Sequence, residues 1–559
     1  MKFTRTNCRG KPCVCPQTTI ACEPIYKGKN MRQFSSYGPI DNDDHYYAPR
    51  TDLIHFTMKQ LVGNNPKKGG HYITIWAPRQ TGKTWLMQQV VRKIQATGDF
   101  EIAILSVQSI KNASNQQDMF DILTKKLKKA FQRDFPNILK WTHFAELFSK
   151  DYFDKPVILI FDEFDALHED YINKFANEFR EMYIERQNEM DSNSSEKTCL
   201  LHGLALIGVR SVLGIENTQG SPFNVQRSIQ IPNLSFDEVK YLFDWYQQDS
   251  NQKIDSDVID RICYEFNGQP GLTCWFAEQL TESYNQNKNQ PITMKEYELV
   301  FNMSCYALPN NNILNIISKA KQEPYQEMIL SLFKTDNEII FRYDNQRFNY
   351  LYMNGIITIE KNETHLFVRF ASPYVQKRLF NYFTDELFST PGQLVEPFES
   401  LDHVINENGL HIKNLLRLYE TYLKKNRHWL LKNAPRRKDL KIFEAVYHFN
   451  LFMYLDKFLS PKNAKVWPEF PTGNGKIDII IKYHNKIYGI ELKTYSDQSS
   501  YNKAIRKAVH YAAQLKIQKI ALVFFVETID DESRKKYEQD HLDTNTNITV
   551  ETIFIEYGS

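Results

Sequence analysis

Two groups of residues in this chain have types and spacings suited to chemistry on phosphate. The first is the octapeptide Ala77-Pro78-Arg79-Gln80-Thr81-Gly82-Lys83-Thr84. It follows the apolar run Tyr72–Trp76 and precedes a segment, Trp85–Ile94, that reads as a helix. A strand, a loop ending in Gly-Lys-Thr and a helix form a cradle in which backbone N–H groups point at an anion. Lys83 would reach the β- and γ-phosphates of ATP, and the Thr84 hydroxyl would hold Mg²⁺. Ala77 stands where the first glycine of such loops usually stands.

The second group is Asp478, Glu491 and Lys493. Gly475–Tyr483 reads as a strand, His484-Asn485 as a two-residue turn, and Lys486–Lys493 as the returning strand. Counting outward from Tyr483 and Lys486, Asp478 lands opposite Glu491, with Lys493 on the same face. Two carboxylates so placed repel, and a divalent cation between them relieves the repulsion. Lys493 could orient or deprotonate a water, or stabilise charge developing on a phosphate. Ile477, Ile479, Ile481, Ile490 and Leu492 supply the opposite, apolar face. Glu444, in the helical stretch Phe443–His448, could reach the same metal. A helix carrying Tyr511 and Gln514 and a strand at 520–526 follow. A solvated hairpin face is the bland alternative for these charges.

The elements around the first group are those a phosphate cradle requires. Pro156–Phe161 is apolar enough for a central parallel strand and ends in Asp162-Glu163. Asp162, 79 positions after Lys83, would bind Mg²⁺, and Glu163 would polarise the attacking water. Glu101–Val107 and Gly203–Ser211 read as two further strands, the latter offering Arg210 and Ser211 as γ-phosphate sensors. Residues 188–197 read as a surface insertion. Alternating strands and helices predict a doubly wound α/β core with the nucleotide at the carboxyl ends of the strands.

The chain's 559 residues, 42% of them hydrophobic, allow about three or four domains of ~150 residues. No run of 18 apolar residues and no secretory leader is visible, so the expected setting is cytoplasmic with no membrane partner. Lys and Arg (69) nearly balance Asp and Glu (67), so any nucleic-acid signal must be local. Lys413–Lys441 is such a stretch, with ten Lys or Arg against Glu420 and Asp439, and Tyr419, Tyr422 and Trp429 interspersed. It could contact phosphates and bases, although a solvated helix face is the commoner meaning of a charge run. Of eight cysteines, Cys8, Cys13, Cys15 and Cys22 crowd the N-terminus. They lack paired Cys-x₂-Cys spacing, which favours a loosely ordered extension and leaves metal binding open.

His45–Arg50, followed by the Gly-Lys-Thr loop, resembles bacterial AAA-like ATP-binding proteins related to STAND and AAA+ ATPases. Ile231–Val239 resembles the entry to their helical lid, and Asn267-Gly268-Gln269-Pro270-Gly271 their Gly-x-Pro turn. The resemblance spans about residues 35–385. It implies that Tyr47–Arg50 lies beside the base, adding Arg50 to a nucleotide set of Ala77, Pro78, Arg79, Gln80, Thr81, Gly82, Lys83, Thr84 and Arg210. It also implies assembly into homo-oligomers. Within it, Asn349–Ile356 reads as the last helix of a winged helix, with wing strands at 356–359 and 365–370.

The helix–strand–strand–helix–strand order of the C-terminal third resembles the PD-(D/E)XK nuclease core, in particular the nuclease-like domains fused behind AAA-like ATPases. Glu444, Tyr447, His448, Gly475, Asp478, Glu491, Lys493 and Gln514 match that pattern, and Lys476 stands where an arginine is common. The resemblance implies Glu163 as catalytic in the ATPase and Glu444, Asp478, Glu491, Lys493 and Gln514 as catalytic in the nuclease. Thr84 and Asp162 would serve one Mg²⁺ site, and Glu444, Asp478 and Glu491 a second. The expected chain is an α/β multidomain protein: an extension (1–34), a P-loop NTPase core (35–232), a helical lid (233–310), a winged helix (311–390), a basic helical linker (391–425) and a restriction-endonuclease-like α/β domain (426–559). Its expected function is an ATP-binding and ATP-hydrolysing switch controlling a Mg²⁺-dependent nuclease acting on nucleic acid, DNA in the first place. A signalling ATPase whose C-terminal domain only binds DNA or protein is the alternative, and a DNA-translocating motor a further one. The trigger, a protein among the candidates, is left open.

Overall fold

The computed structural model describes residues 31–38, 40–208, 226–285, 287–333, 339–362, 364–390, 392–395, 401–407, 409–432, 434–437, 442–472, 475–495 and 497–558. Cys8, Cys13, Cys15, Cys22, Arg210 and Ser211 lie outside the described residues.

Four largely apolar runs and one polar edge strand make the first sheet. These are β1 (Tyr72–Trp76), β2 (Glu101–Ser106), β3 (Val157–Asp162), β4 (Leu201–Gly208) and β5 (Gln226–Gln230). They lie in the order β2-β3-β4-β1-β5, every pairing parallel. Parallel neighbours need crossovers, and helices supply them. Helices α1 (Thr51–Val62) and α2 (Lys83–Gln95) cover one face. Helices α3 (Gln116–Phe131), α4 (Trp141–Glu146) and α5 (Glu169–Asn188) cover the other. All six residues of β3 are buried, as a strand covered on both faces demands.

A helical segment follows: α6 (Phe236–Ser250), α7 (Ser256–Phe266), α8 (Pro270–Glu278) and α9 (Met294–Tyr306). A reciprocal capping box, Ser235 with Glu238, starts α6. Pro270 at the first turn and Gln269 as cap start α8. Next comes a helix–hairpin module. It contains α10 (Asn311–Ala320), α11 (Tyr325–Leu332), α12 (Gln346–Met353), the hairpin β6 (Ile357–Lys361) with β7 (Leu366–Phe370), and α13 (Pro373–Leu387).

A small hairpin, β8 (Ile405–Asn406) with β9 (Gly409–Leu410), leads to α14 (Ile412–Leu430) and α15 (Glu444–Leu459). The second large sheet contains β10 (Lys465–Thr472), β11 (Gly475–Tyr483) and β12 (Lys486–Thr494). After α16 (Gln498–Gln514) it gains β13 (Lys519–Val526) and, beyond α17 (Asp531–Tyr537), β14 (Asp540–Asp543) and β15 (Ile548–Glu556). Its order is β10-β11-β12-β13-β15-β14, antiparallel at both edges and parallel across β12, β13 and β15. One face packs on α14 and α15, the other on α16.

The basic stretch differs from its expected role as a linker. Helix α14 runs unbroken across position 425 and lies on β15. Tyr419 and Tyr422 are buried against Tyr454, with the Tyr419 hydroxyl donating to Asn450, so neither ring is available to a base. Arg417 pairs with Glu420 and Glu538, and Lys424 with Glu556. Two of the stripe's ten cations, Arg417 and Lys424, thus help dock α14 onto the sheet; Trp429 alone of the three aromatics is exposed.

A single apolar core runs from the helical segment through the module into the second sheet. Phe380 of α13 meets Phe449 and Phe452 of α15 at centroid distances of 4.7 and 5.1 Å. Among the described residues, no helix is long and apolar enough to cross a membrane.

Candidate functional site

The first group of residues folds as its spacing predicts. Strand β1 ends at Trp76, and the loop turns through Gln80 and Gly82, both at positive φ, into the N-terminus of α2. Lys83 Nζ donates to the Ala77 and Pro78 carbonyls at 2.8 Å each. The ammonium is thus folded across the loop that would hold the phosphates. Burial lowers the Lys83 pKa to about 8, with Asp165 and Asp162 opposing the shift. Thr84 Oγ1 donates to Asp162 Oδ2 at 2.7 Å. Burial pushes the Asp162 carboxyl up, against the Thr84 and Glu163 hydrogen bonds that favour the ionised form. Glu163 sits at the strand end with φ 60°, its carboxylate accepting from Ser106 Oγ at 2.6 Å. A hydroxyl and a carboxylate oxygen facing each other form the hard donor set that Mg²⁺ takes.

These groups open on a cleft of about 1120 Å³. Arg79 to Thr84 line it with Asp162 and Glu163. Ala77 and Pro78 contribute carbonyls to Lys83 rather than wall. Arg50, expected beside the base, is not among the residues that line this cleft. Its guanidinium donates to Glu238 at 3.1 Å and to the Pro232 and Asn233 carbonyls at 2.8 and 2.9 Å. It therefore ties the start of α1 to the start of α6.

Three parts of the wall carry no sequence motif. Ser35 to Gly38 and Ile40 line the cleft from the segment preceding α1. Gly271 N donates to the Gln80 carbonyl at 2.9 Å, and Gln269 Nε2 to the Arg79 carbonyl at 2.9 Å, pressing the turn before α8 onto the loop. A Cβ on Gly271 would meet Gln80 Cβ at 2.4 Å, so only glycine fits there. The third part is the helix–hairpin module, which contributes Lys319, Gln346, Asn349, Tyr350, Met353 and Asn354.

The hairpin of the second group also forms as counted. Tyr483 pairs with Lys486, and the register holds to Ile479 opposite Ile490. At Asp478 the pairing gives way to a side-chain contact: Asp478 Oδ2 accepts from Leu492 N–H at 2.6 Å. Lys493 Nζ lies 2.9 Å from Glu491 Oε1. All three side chains are buried, Glu491 completely. Ile479, Ile481, Ile490 and Leu492 face the α15 side as expected. His448 Nε2, buried on α15, bonds the Asp478 carbonyl at 2.9 Å.

The remaining expected members are not gathered in. Among the described residues, no three His, Cys, Asp or Glu side chains surround one point, so Glu444 does not complete a three-acid centre with Asp478 and Glu491. Glu444 opens α15, on the opposite face of the sheet from α16. Gln514 occupies the last turn of α16 and donates to His510 at 3.0 Å. The connection from Lys493 enters α16 at its other end, about 24 Å away at 1.5 Å per residue. Tyr447 stacks on Phe525 and Tyr557 as core.

Residues 36–293 match the family model described as an AAA-like domain. Among solved structures the chain is similar to the Walker-type ATPase of Pyrococcus abyssi, at 11% identity over 62% of this chain and 99% of that one, with a TM-score of 0.41. It is similar to Cdc6p from Pyrobaculum aerophilum at 14% identity, over 61% and 95% of the two chains, with a TM-score of 0.33. The Aeropyrum pernix ORC2 protein gives 12% identity over 61% and 96%, with a TM-score of 0.35. No curated protein sequence matches the chain. The parallel sheet, the Gly-Lys-Thr loop and the acid-ended strand all fall within the part of the chain, 36 to 293, that is similar to the AAA-like domain, and they support an ATPase of the P-loop AAA type.

Proposed function

We propose that this protein is an ATP-driven switch that controls a Mg²⁺-dependent nuclease in its C-terminal third, acting on DNA. One observation carries the link between the halves: the helix–hairpin module touches both sites. Its α10 and α12 line the nucleotide cleft. Its α13 sets Phe380 against the His448 ring at 4.8 Å, and His448 holds the Asp478 carbonyl. In this reading α6 to α9 form the lid and the module is the winged helix, placed to pass a change at the phosphates to the strand that carries Asp478.

Each site supports its half of the chemistry. In the cleft, Lys83 would leave the Ala77 and Pro78 carbonyls for the β/γ-phosphates, Thr84 and Asp162 would hold Mg²⁺, and Glu163 would orient the attacking water. At the C-terminal site, Asp478 and Glu491 offer two buried carboxylates beside the Lys493 ammonium. Two such carboxylates suit a divalent cation, which prefers one or two carboxylates plus water and phosphate oxygens. Mg²⁺ there would supply Lewis-acid stabilisation of the phosphodiester. Lys493, held by Glu491, would position a water or balance charge on the scissile phosphate.

The depth of Glu491 and Lys493 requires the site to open before a DNA strand enters, which is what a controlled enzyme needs. The same burial also favours the second reading, a signalling ATPase whose C-terminal unit only binds DNA or protein. Plasmid incubated with the full chain, Mg²⁺ and ATP separates the two: the nuclease reading expects nicking or cleavage that Asp478→Ala abolishes. DNA left intact throughout would favour the binding module. Size measurement with and without ATP tests the accompanying expectation of a homo-oligomer.

A further inference from the structure

The module's wall of the nucleotide cleft carries two polar side chains, Lys319 and Asn349. Asn349 is 6% exposed, lines the cleft, and its Oδ1 has no hydrogen-bond partner. A buried acceptor left in this state is costly unless a ligand or water completes it. Lys319 ends α10 on the same wall, half-buried, with no carboxylate paired to it among the described residues. An ammonium facing a cleft is a ready counter-charge for an anion.

The packing fixes which part of the cleft they face. The Tyr352 ring meets the Trp76 ring at 5.6 Å, and its hydroxyl accepts from Gln230 Nε2 at 2.7 Å. A Cβ on Gly355 would lie 3.0 Å from Pro78 Cβ. Helix α12 therefore abuts the first residues of the loop, beside the ends of β1 and β5. Ser35 to Gly38, Ile40 and Cys274 line the cleft from other elements. Lys83, Thr84 and Glu163, the groups that would surround the terminal phosphate, line the same cleft as Lys319 and Asn349.

We propose that Lys319 and Asn349 read the γ-phosphate: Lys319 as its counter-charge, and Asn349 by accepting a hydrogen bond from water held on it. The module then binds ATP in preference to ADP, and the discrimination comes from outside the loop and the acid-ended strand. This rests on the ATP reading of the cleft.

Titration calorimetry of the full chain with ATP and with ADP, both with Mg²⁺, tests it. Lys319→Ala should weaken ATP about tenfold and ADP less than about twofold, as expected for loss of one charge-assisted contact. Lys319→Arg should keep most of the preference, and Asn349→Ala should lose about threefold for ATP alone. Thermal melting establishes that each variant is folded; if Asn349→Ala is not, the Lys319 pair decides. Equal losses for both nucleotides, or an unchanged ratio, would overturn the assignment while Lys83→Ala still abolished binding. A wild-type chain that binds neither nucleotide, or a Lys83→Ala variant with both affinities intact, would overturn the ATP reading and this inference together.

Discussion

Asp162, at the end of β3, and Glu491, within β12, are both acids withdrawn from water, but their partners differ in kind. Asp162 is balanced by a hydroxyl, a backbone N–H and the nearby Lys83, all beside an open cleft. Glu491 is balanced by an ammonium two residues along the same strand, inside a closed core. The first arrangement is ready to exchange its partners for a ligand. The second is a locked ion pair that must be opened. In the proposed switch, the module would join the two through packed side chains, Phe380 against His448 and Phe449.

The largest expected effect sharpens this contrast. Lys493→Met leaves Glu491 buried without its ammonium and should cost about 3–5 kcal/mol of C-terminal stability, read by urea unfolding. The double variant Glu491→Met with Lys493→Met should recover most of that. If the double is as unstable as the single, the pair is not the locked element described. On the open side, Lys83→Ala should lower ATP turnover at least about 100-fold, with the melting temperature little changed. A variant that melts early instead would mean that Lys83 is structural.

The pH dependence of ATP binding comes next. The Lys83 pKa of about 8 is lowered from the usual lysine value, so the free protein loses this charge as pH rises through 8. Bound phosphate favours the charged form, so ATP affinity should fall by up to about tenfold per pH unit above that point. Below it the affinity is flat as far as Lys83 is concerned. Lys83→Arg, charged throughout, should show no such fall in a titration series from pH 7 to 10. The smallest effect is at the joint. Phe380→Leu should cost about 1 kcal/mol in stability yet remove the ATP dependence of any cleavage activity. Retained ATP dependence would place the coupling elsewhere.

The geometry of the nucleotide cleft was legible because each of its members is bound to a local element. A loop between an apolar strand and a helix fixes Lys83 and Thr84, and a buried strand fixes Asp162. The register of the Asp478–Glu491 hairpin was legible for the same reason, since a two-residue turn sets the pairing. The side-chain contact that replaces the last pair depends on Asp478 reaching Leu492 N–H and is invisible to counting. Lys319 and Asn349 belong to no motif and reach the cleft only through the packing of Tyr352 and Gly355. The bonds from Arg50 to Glu238, Pro232 and Asn233 were not legible, because sequence gives a residue's position but not its side chain's direction. Tyr419 and Tyr422 were misread beside their basic neighbours. Their spacing with Leu415, Leu416 and Leu423 is that of an amphipathic helix's buried stripe, a signal that was present. Gln514 was carried over by residue type, and the length of α16 sets it at the wrong end.

The central claim is that ATP at Lys83 governs chemistry at Asp478, and cleavage measured beside ATP turnover in the same samples tests it most directly. The account predicts that the wild-type chain cuts plasmid DNA with Mg²⁺ in an ATP-dependent manner. Lys83→Ala should lose both activities, and Asp478→Ala should lose cleavage while keeping ATP turnover. Cleavage unaffected by Lys83→Ala, or DNA left intact by a wild-type chain that turns over ATP, would contradict it.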